Sequence, residues 1–413
     1  MFIKYFHFNR LQLLLLSAIL FASCSLFSKS DPIPVKTGGG WGYIDGKGSF
    51  VINPHFQEAG VFRDGLARVV SNDKVGYIDK DGKFVINAQY YYGTPFSDGY
   101  AFVVTKNSVP ICINTKGEQI FSLKGVRRAS MFHGGLSCFV SDDDKCGYVD
   151  TKGNIAIAAT YSSAMDFSEG FAAVMLDGKF GYIDKSGNLA IPFQFEQAHP
   201  FYEGYAAVYD GKQWGFINAK GEYAISPQFD EALLFSEGLA HCRNGKLWGF
   251  INTKGEYAIN PQFEGASMFS EGLAPYSNGG LYGYLDQDGK IAINPQFDRA
   301  LFFTRKIAPI QSGGKWGFIN TKGKYVINPR FDAVVDAASE ENNNGVIQST
   351  YYDVSSDYDD ASSDYDDASS DYDDASSDYY DVSSDYDAAS EFIKEISDGS
   401  TGIYNRSLEA VEQ

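Results

Sequence analysis

The sequence has none of the motifs that mark common hydrolases or nucleotide-binding proteins. It contains no HExxH or HxH metal spacing, no G-x-S-x-G turn for a nucleophilic serine and no phosphate-cradling P-loop. Its five histidines, His7, His55, His133, His199 and His241, are scattered along the chain and fall at different places in the pattern described below. A single active site needs groups that occur once and together. The expectation is therefore a protein that is not an enzyme, with no catalytic residues, no metal and no cofactor. Long amphipathic helical stretches are also missing, while aromatics reach 15% and Gly is abundant, a balance that leans all-β. Positive charge is scarce. The net charge of −19 argues against nucleic acid as a partner. That charge is unevenly spread: residues 350–390 hold fourteen Asp and no Lys or Arg, which leaves about −5 elsewhere.

One apolar run stands out, from Leu11 to Ala22, behind the basic Lys4 and Arg10. It is too short to span a bilayer comfortably, which takes about 20 apolar residues, and no other segment is apolar enough. The run ends in Leu20-Phe21-Ala22-Ser23-Cys24, small residues directly before a cysteine. This resembles the lipobox of bacterial lipoproteins, which implies a signal peptide over 1–23, lipidation at Cys24 and a short linker over 24–40. Phe21 departs from the usual aliphatic residue in the manner of the looser spirochaete-type pattern. Ser25, rather than Asp, after the cysteine favours the outer membrane or cell surface where the envelope has two membranes. The alternative is an ordinary cleaved secretory signal.

The rest of the chain is repetitive. WGFINTKGEYAINPQF at Trp248 returns as WGFINTKGKYVINPRF at Trp316 and WGFINAKGEYAISPQF at Trp214. The glycine of the pair, or its stand-in, falls at Gly42, Gly76, Ile111, Gly147, Gly181, Gly215, Gly249, Gly283 and Gly317, 34 residues apart except around the third unit. Nine units run over 41–336. A fixed period of this length marks an array whose units bury their apolar faces against one another. Within residues 235–263, Phe235-Ser236-Glu237-Gly238 is a turn and Leu239–Cys242 a short strand. Asn244-Gly245 is a hairpin signal, Trp248–Asn252 the returning strand and Thr253-Lys254-Gly255 a second reversal. Tyr257–Asn260 is a third strand ended by Pro261, with a very short fourth at Phe263–Ala266.

These dipeptides and turns resemble the WG-repeat family, also met as the KWG repeat, over nine units and roughly 300 residues. Departures fall in the third unit, where Pro110-Ile111-Cys112 replaces the aromatic–glycine pair, and in the fourth, where Cys146 stands for Trp. The resemblance implies a β-repeat architecture and a binding role, and it carries no catalytic constellation. Small antiparallel sheets repeated radially make a β-propeller. Eight FSEG-like turns against nine WG hairpins leave the first unit without its leading strands and Phe331–Val335 without a following hairpin, as ring closure by shared strands requires. Nine blades is a large ring and 34 residues a short blade, so an open superhelical β-array is the alternative.

Several repeated residues invite functional readings. Asp79-Lys80-Asp81-Gly82 and Asp286-Gln287-Asp288-Gly289 look like half a calcium loop, but the same slot elsewhere reads NTKG or DKSG, which favours a plain hairpin turn. Asp64, Asp98, Glu169, Glu203, Glu237 and Glu271 form either a carboxylate ring or a set of caps on backbone amides beside tight glycines. Trp41, Trp214, Trp248 and Trp316 either stack on sugars or, as their fixed place beside glycine favours, pack in the core. Arg127-Arg128 with His133, and Arg305-Lys306, are basic departures that mark a contact surface or simply solvated charge. With Cys24 lipidated, Cys112, Cys138, Cys146 and Cys242 remain; Cys138 and Cys146 flank the Asp142-Asp143-Asp144 hairpin, so a disulfide or two free thiols fit equally.

Beyond the array, SSDYDDA recurs every seven residues within 337–390, followed by a terminal segment, 391–413. Dense like charge and the lack of an apolar pair per heptad predict a disordered acidic segment rather than a coiled coil. The expected function is an envelope-anchored, non-catalytic repeat scaffold binding protein or glycan partners, held to the membrane by its N-terminal lipid. The competing expectation is an envelope hydrolase on a propeller scaffold, with carboxylates gathered at its axis.

Overall fold

In the computed structural model the described residues are 31–335. The lipidation site Cys24, the signal peptide, the acidic heptads and the terminal segment lie outside them. The described chain contains only strands, grouped in nine four-stranded antiparallel sheets. The sheets close into a nine-bladed β-propeller.

Blade 7 shows how the repeat becomes structure. Its strands are β24 (Glu231–Ser236), β25 (Leu239–Asn244), β26 (Leu247–Asn252) and β27 (Tyr257–Phe263). The residues after β27, read above as a fourth strand of the same unit, form β28 (Gly265–Ala266), which instead pairs with β29 (Leu273–Asn278) of blade 8. The sequence period and the blade are thus offset by one strand. First strands are only two residues long in six of the nine blades, which is how four strands fit into 34 residues.

Ring closure uses the two ends of the array. Blade 1 consists of β36 (Ala333–Val334), β1 (Ile33–Thr37), β2 (Gly40–Ile44) and β3 (Phe50–Phe56), in the order β3-β2-β1-β36. Lys36 lies opposite Ala333 and Val35 opposite Val334. One expectation is corrected here. Residues 33–37 are not linker; they form the second strand of the closing blade, with Val35 fully buried. Their signal is weak in sequence because this blade draws its first strand and turn position from the other end of the chain.

The fourth strand carries the same burial alternation in eight blades, with its third and seventh residues inward, as Ile259 and Phe263 in β27. Opposite it, the WG strand meets a two-residue bulge: Trp248 faces Phe263 while Phe250 faces Ile259. The bulge explains the glycine. A Cβ on Gly249 would lie 2.6 Å from the Ile259 carbonyl oxygen and 2.6 Å from the Pro261 nitrogen. In blade 3 the fourth strand, β11 (Gln119–Ser122), pairs Ile111 with Ser122 and Cys112 with Phe121 without that insertion. Where the bulge is missing, isoleucine replaces glycine.

Trp248 is 5% exposed and Trp214 8%, each built into an inter-blade cluster, whereas Trp41 and Trp316 are half-buried. Trp248→Ala should cost about 3–5 kcal/mol in denaturant unfolding, as large core truncations do. Gly249→Val should also be strongly destabilising, and Trp316→Ala should cost less than Trp248→Ala. If Trp248→Ala unfolds at the wild-type midpoint, the packing account of the repeat is wrong.

Candidate functional site

In a four-stranded meander the turn between the first two strands and the turn between the last two lie at the same end. The FSEG-like turns and the D/N-x-K-G turns therefore crowd one end of the ring. In the latter, the leading side chain caps its own loop. Asp79 Oδ1 accepts from the amides of Asp81 (3.0 Å) and Lys83 (2.9 Å), and Asn252 Oδ1 from those of Lys254 (2.9 Å) and Glu256 (3.1 Å). The calcium-like spelling is this turn, with the oxygen already facing two N–H donors. Asp45, whose carboxyl is held below the usual range by the amides of Ser49 and Lys47, shows the same chemistry. The glycine of each such turn rests on the preceding blade, as Gly255 on Ile225 and Gly48 on Ile327.

The FSEG carboxylates do cap amides beside tight glycines, but the glycines belong to the next blade. Glu203 accepts from Glu237 N (2.7 Å) and Gly238 N (2.8 Å), Glu169 from Gly204 N (2.9 Å), and Glu237 from Gly272 N (2.9 Å). Asp64 and Asp98 reach Gly99 N (2.7 Å) and Gly135 N (2.8 Å), and Glu271 reaches Lys306 N (2.6 Å). Where a serine precedes the acid it works in parallel: Ser236 Oγ donates to the Phe269 carbonyl (2.7 Å) and Ser168 Oγ to that of Phe201 (2.6 Å). Acid and glycine both have positive φ (Glu237 54°, Gly238 80°), which shapes the turn so that its amides face the preceding blade.

The chain of caps changes at blade 9, where Arg305 replaces the acid. Blade 1 has no such turn to offer, because its first two strands come from opposite ends of the array. Arg305 donates instead to the Asp31 carbonyl oxygen (3.3 Å), and the Asp31 carboxylate pairs with Lys80. Of the Arg305-Lys306 departure, Arg305 is thus a closure device, while Lys306 is exposed.

The other irregular place is the junction of blades 4 and 5. Blade 4 consists of β12 (Val126–Ala129), β13 (Leu136–Ser141), β14 (Cys146–Asp150) and β15 (Ile155–Tyr161); blade 5 begins with β16 (Ser163–Ala164). Arg127 is spent on Asp144 across the hairpin side of blade 4. His133 stands where other blades carry the turn serine, and its Nδ1 lies 3.4 Å from Asp166 Oδ2. Ser130 Oγ donates to Asp166 Oδ1 (2.6 Å) and accepts from the Cys138 amide (3.1 Å). Asp166 escaped the sequence reading. Its signal is a charge at the position that holds Val61, Leu234 and Phe302 in other blades. The carboxylate, not the imidazole, takes the serine's hydrogen bond, and Ser130 is only 3% exposed. A nucleophile buried and paired this way presents no attacking oxygen.

Cys138 lies opposite Tyr148 and Cys146 opposite Val140, so the two cysteines are diagonal neighbours. Diagonal positions stand about 7–8 Å apart, more than a disulfide spans without backbone movement, and both are free thiols. A hydrogen bond to the Cys146 sulfur, together with burial, raises the Cys138 thiol's pKa, and the same bond lowers that of Cys146.

A surface position that recurs around the ring forms a belt at the start of the fourth strands. Phe50, Phe84, Ile120, Ile155, Leu189, Tyr223, Tyr257, Ile291 and Tyr325 are all 37–56% exposed, one in every blade. The aromatic members bridge blades edge-on: Tyr223 on Phe195, Tyr257 on Phe229 and Tyr325 on Phe297, with centroids 6.3–6.4 Å apart. Among the described residues the Trp side chains lie further inside than this belt.

His241 is 1% exposed beside Trp248, and burial followed by the nearby His199 pushes its pKa down to about 3. A pKa below the unfolded value of about 6.5 means that the unfolded chain binds the extra proton. The contribution is therefore fully present above about pH 6.5 and is lost progressively as pH falls towards 3. His241→Gln should flatten unfolding free energy against pH between 6.5 and 4 by about 1 kcal/mol per pH unit. Parallel wild-type and mutant profiles over that range would overturn this reading.

The family described as WG containing repeat matches residues 41–74, 76–108, 147–180, 180–212, 214–241, 248–282, 282–316 and 316–342. No curated protein matches the sequence. Among solved structures, a eukaryotic initiation factor superposes with a TM-score of 0.55 at 11% identity, over 75% of this chain and 98% of its own. BamB from Moraxella catarrhalis gives 0.39 at 11% identity, over 64% and 90%, and the computationally designed Ika8 protein 0.37 at 10%, over 64% and 93%. At such identities likeness speaks for fold alone, and only the first superposes closely enough to do so. The long gap in the family matches, residues 109–146, contains Ile111 and β11, where the glycine and the bulge are lost. With eight matched segments covering most of the ring, the chain belongs to the WG-repeat family.

Proposed function

We propose that this protein is a non-catalytic scaffold of the cell envelope, lipid-anchored through Cys24, that binds a protein or glycan partner on the rim of its propeller. The observation that carries the reading is the belt: eight blades expose an aromatic or aliphatic side chain at the same place, and in blade 3, where Gln119 takes it, Ile120 is exposed next to it. A contiguous exposed apolar feature is the usual mark of an interaction surface, and tyrosine and phenylalanine edges suit both sugars and proteins. The described chain starts and ends at the turn end of the ring, where the belt also lies. Cys24 precedes Asp31 by seven residues, which reach at most about 25 Å, so a lipid there holds the belt close to the membrane surface and to envelope components.

The hydrolase reading draws on the meeting of Asp166, His133 and Ser130. It is the weaker one, because the serine is buried and hydrogen-bonded to the carboxylate rather than to the histidine.

Two experiments test the proposal. Tyr223→Ser, Tyr257→Ser and Tyr325→Ser combined in the full-length protein should reduce binding to envelope glycans or proteins at least tenfold while the melting temperature moves by only a few degrees. Unchanged binding would remove the belt from consideration. Cys24→Ala should shift the protein from the detergent phase to the aqueous phase in phase partition without altering its thermal transition. A mutant that still partitions with detergent would rule out the lipid anchor.

A further inference from the structure

In all nine blades the first two residues of the fourth strand are exposed. The first of them forms the belt in eight blades. The second divides the ring into two continuous arcs. Blades 4 to 8 carry alanine there, from Ala156 to Ala292, whereas blades 9, 1, 2 and 3 carry Val326, Val51, Val85 and Ile120. These four blades are neighbours in the closed ring, and the four side chains are 39–49% exposed. Three of them follow an exposed ring, as Tyr325-Val326, Phe50-Val51 and Phe84-Val85. The doublets are joined across the junctions, because Phe50 meets Phe331 edge-on at 6.2 Å and Phe84 meets Phe56 at 6.1 Å. Valine favours strands more than alanine does, but that preference acts on all nine blades alike. It does not account for four in succession.

Charge divides the turn end of the ring along the same line. Blade 9 brings Arg305, Lys306, Lys322 and Lys324 to its two turns and no carboxylate, and its three lysines are exposed. The K-G turns of blades 1 and 2 are balanced. In blades 5 to 8 the first turn carries a glutamate (Glu169, Glu203, Glu237 and Glu271), and the other turn has at least as many carboxylates as lysines. The apolar arc thus coincides with the one basic stretch of an acidic end.

We propose that this arc is a bilayer-contacting face: the rings and valines of blades 9, 1 and 2 enter the headgroup layer of a membrane, and the lysines of blade 9 meet its anionic phosphates. Exposed rings and aliphatic side chains beside lysines are the composition of interfacial membrane contacts, and each basic group near an anionic leaflet adds attraction. A convex rim suits a fluid surface, which shapes itself around the side chains, whereas a protein partner would need a matching groove. The chain also enters the ring on this side. Asp31 pairs with Lys80 of blade 2 and takes a hydrogen bond from Arg305 of blade 9. The inference rests on the lipid-anchor reading for the nearness of a bilayer. It leaves the alanine arc, with Tyr223 and Tyr257, turned away from the membrane for a partner.

The test is sedimentation of residues 25–413 with vesicles of phosphatidylglycerol and phosphatidylethanolamine. This chain keeps every strand of the ring and lacks both an acyl group and the apolar run 11–22. It should pellet with these vesicles and bind at least about tenfold more weakly to phosphatidylcholine alone. Val51→Thr, Val85→Thr and Val326→Thr combined keep the branched shape at Cβ and should weaken binding at least about tenfold, with the melting temperature moving by only a few degrees. Lys322→Glu with Lys324→Glu should weaken it by at least as much. Tyr223→Ser with Tyr257→Ser, on the other arc, should bind like the unsubstituted chain. Protein left in the supernatant, or binding unchanged in the valine variant, overturns the proposal, and so does an equal loss in the tyrosine pair. Self-association abolished by the valine substitutions, without vesicle binding, makes the occupant a second copy of this chain, and the lipid assignment is then wrong. With no acyl group present, a failed lipid anchor leaves these results unchanged and is read from Cys24→Ala instead.

Discussion

Every blade of this ring depends on its neighbour to complete its core. A sheet whose first strand is two residues long cannot bury both of its faces, and the clusters of buried residues accordingly straddle successive blades, as Phe216 with Phe235 and Tyr284 with Phe303. Fully burying one such phenylalanine contributes about 1.5–3 kcal/mol. The accompanying hydrogen bond from a turn amide to a carboxylate, lying at the surface, contributes nearer 1 kcal/mol. The aromatic step therefore supplies most of the cohesion. The serine and glutamate bridges, with their directional geometry, fix the angle at which one blade meets the next.

The same division of labour explains which residues repeat strictly and which drift. Gly249 and its counterparts are tied to the two-residue bulge opposite them, and the pair is kept or lost together, as Ile111 opposite β11, which lacks that bulge, shows. The third-strand aromatic alternates between tyrosine and phenylalanine. Where it is tyrosine, its hydroxyl reaches the next blade, as Tyr182 to the His199 carbonyl (2.8 Å) and Tyr284 to that of Leu301 (2.7 Å). Phenylalanine at Phe216 and Phe250 keeps the ring contact at 4.8 Å without that bond. A substitution that preserves the apolar step is tolerated, and one that removes only a hydrogen bond costs little.

Much of this was legible in the sequence because the repeat writes each constraint many times. The hairpin turns, nine units and closure by complementary ends follow from the spacing of WG, FSEG and K-G, while the short strand Gly265–Ala266 belongs to the next blade. Three things were hidden for physical reasons. The strand Ile33–Thr37 lacks its own turn, since its partner strand arrives from residue 333. The partners of Glu169 and Glu203 are 34–35 residues away, and spacing alone does not distinguish a cap within a turn from a cap on the neighbour's turn. Asp166 is a single charged letter in an apolar column, visible only when the nine units are laid in register. The buried positions of Trp214 and Trp248 were readable from their fixed place beside glycine, whereas the exposed belt lies in residues such as Tyr257 and Ile291 that look like ordinary strand formers.

Repetition sets the problem that function has to solve in such a ring. Nearly identical blades present nearly identical surfaces, so a partner that reads only the repeat has no preferred orientation. Specificity has to come from what occurs once, and two places in the described chain qualify. At the junction of blades 4 and 5 the unusual groups point at one another: Ser130 to Asp166, His133 to the same carboxylate, and the Cys138 thiol to Cys146. Those contacts stabilise an irregular joint and leave little to offer a ligand. The seam is the other place. Asp31, Lys80 and Arg305 tie the ends of the ring together through polar bonds. The fold has to be closed somewhere, and the place where a salt-bridged clasp joins the two ends is also where the surface stops being repetitive.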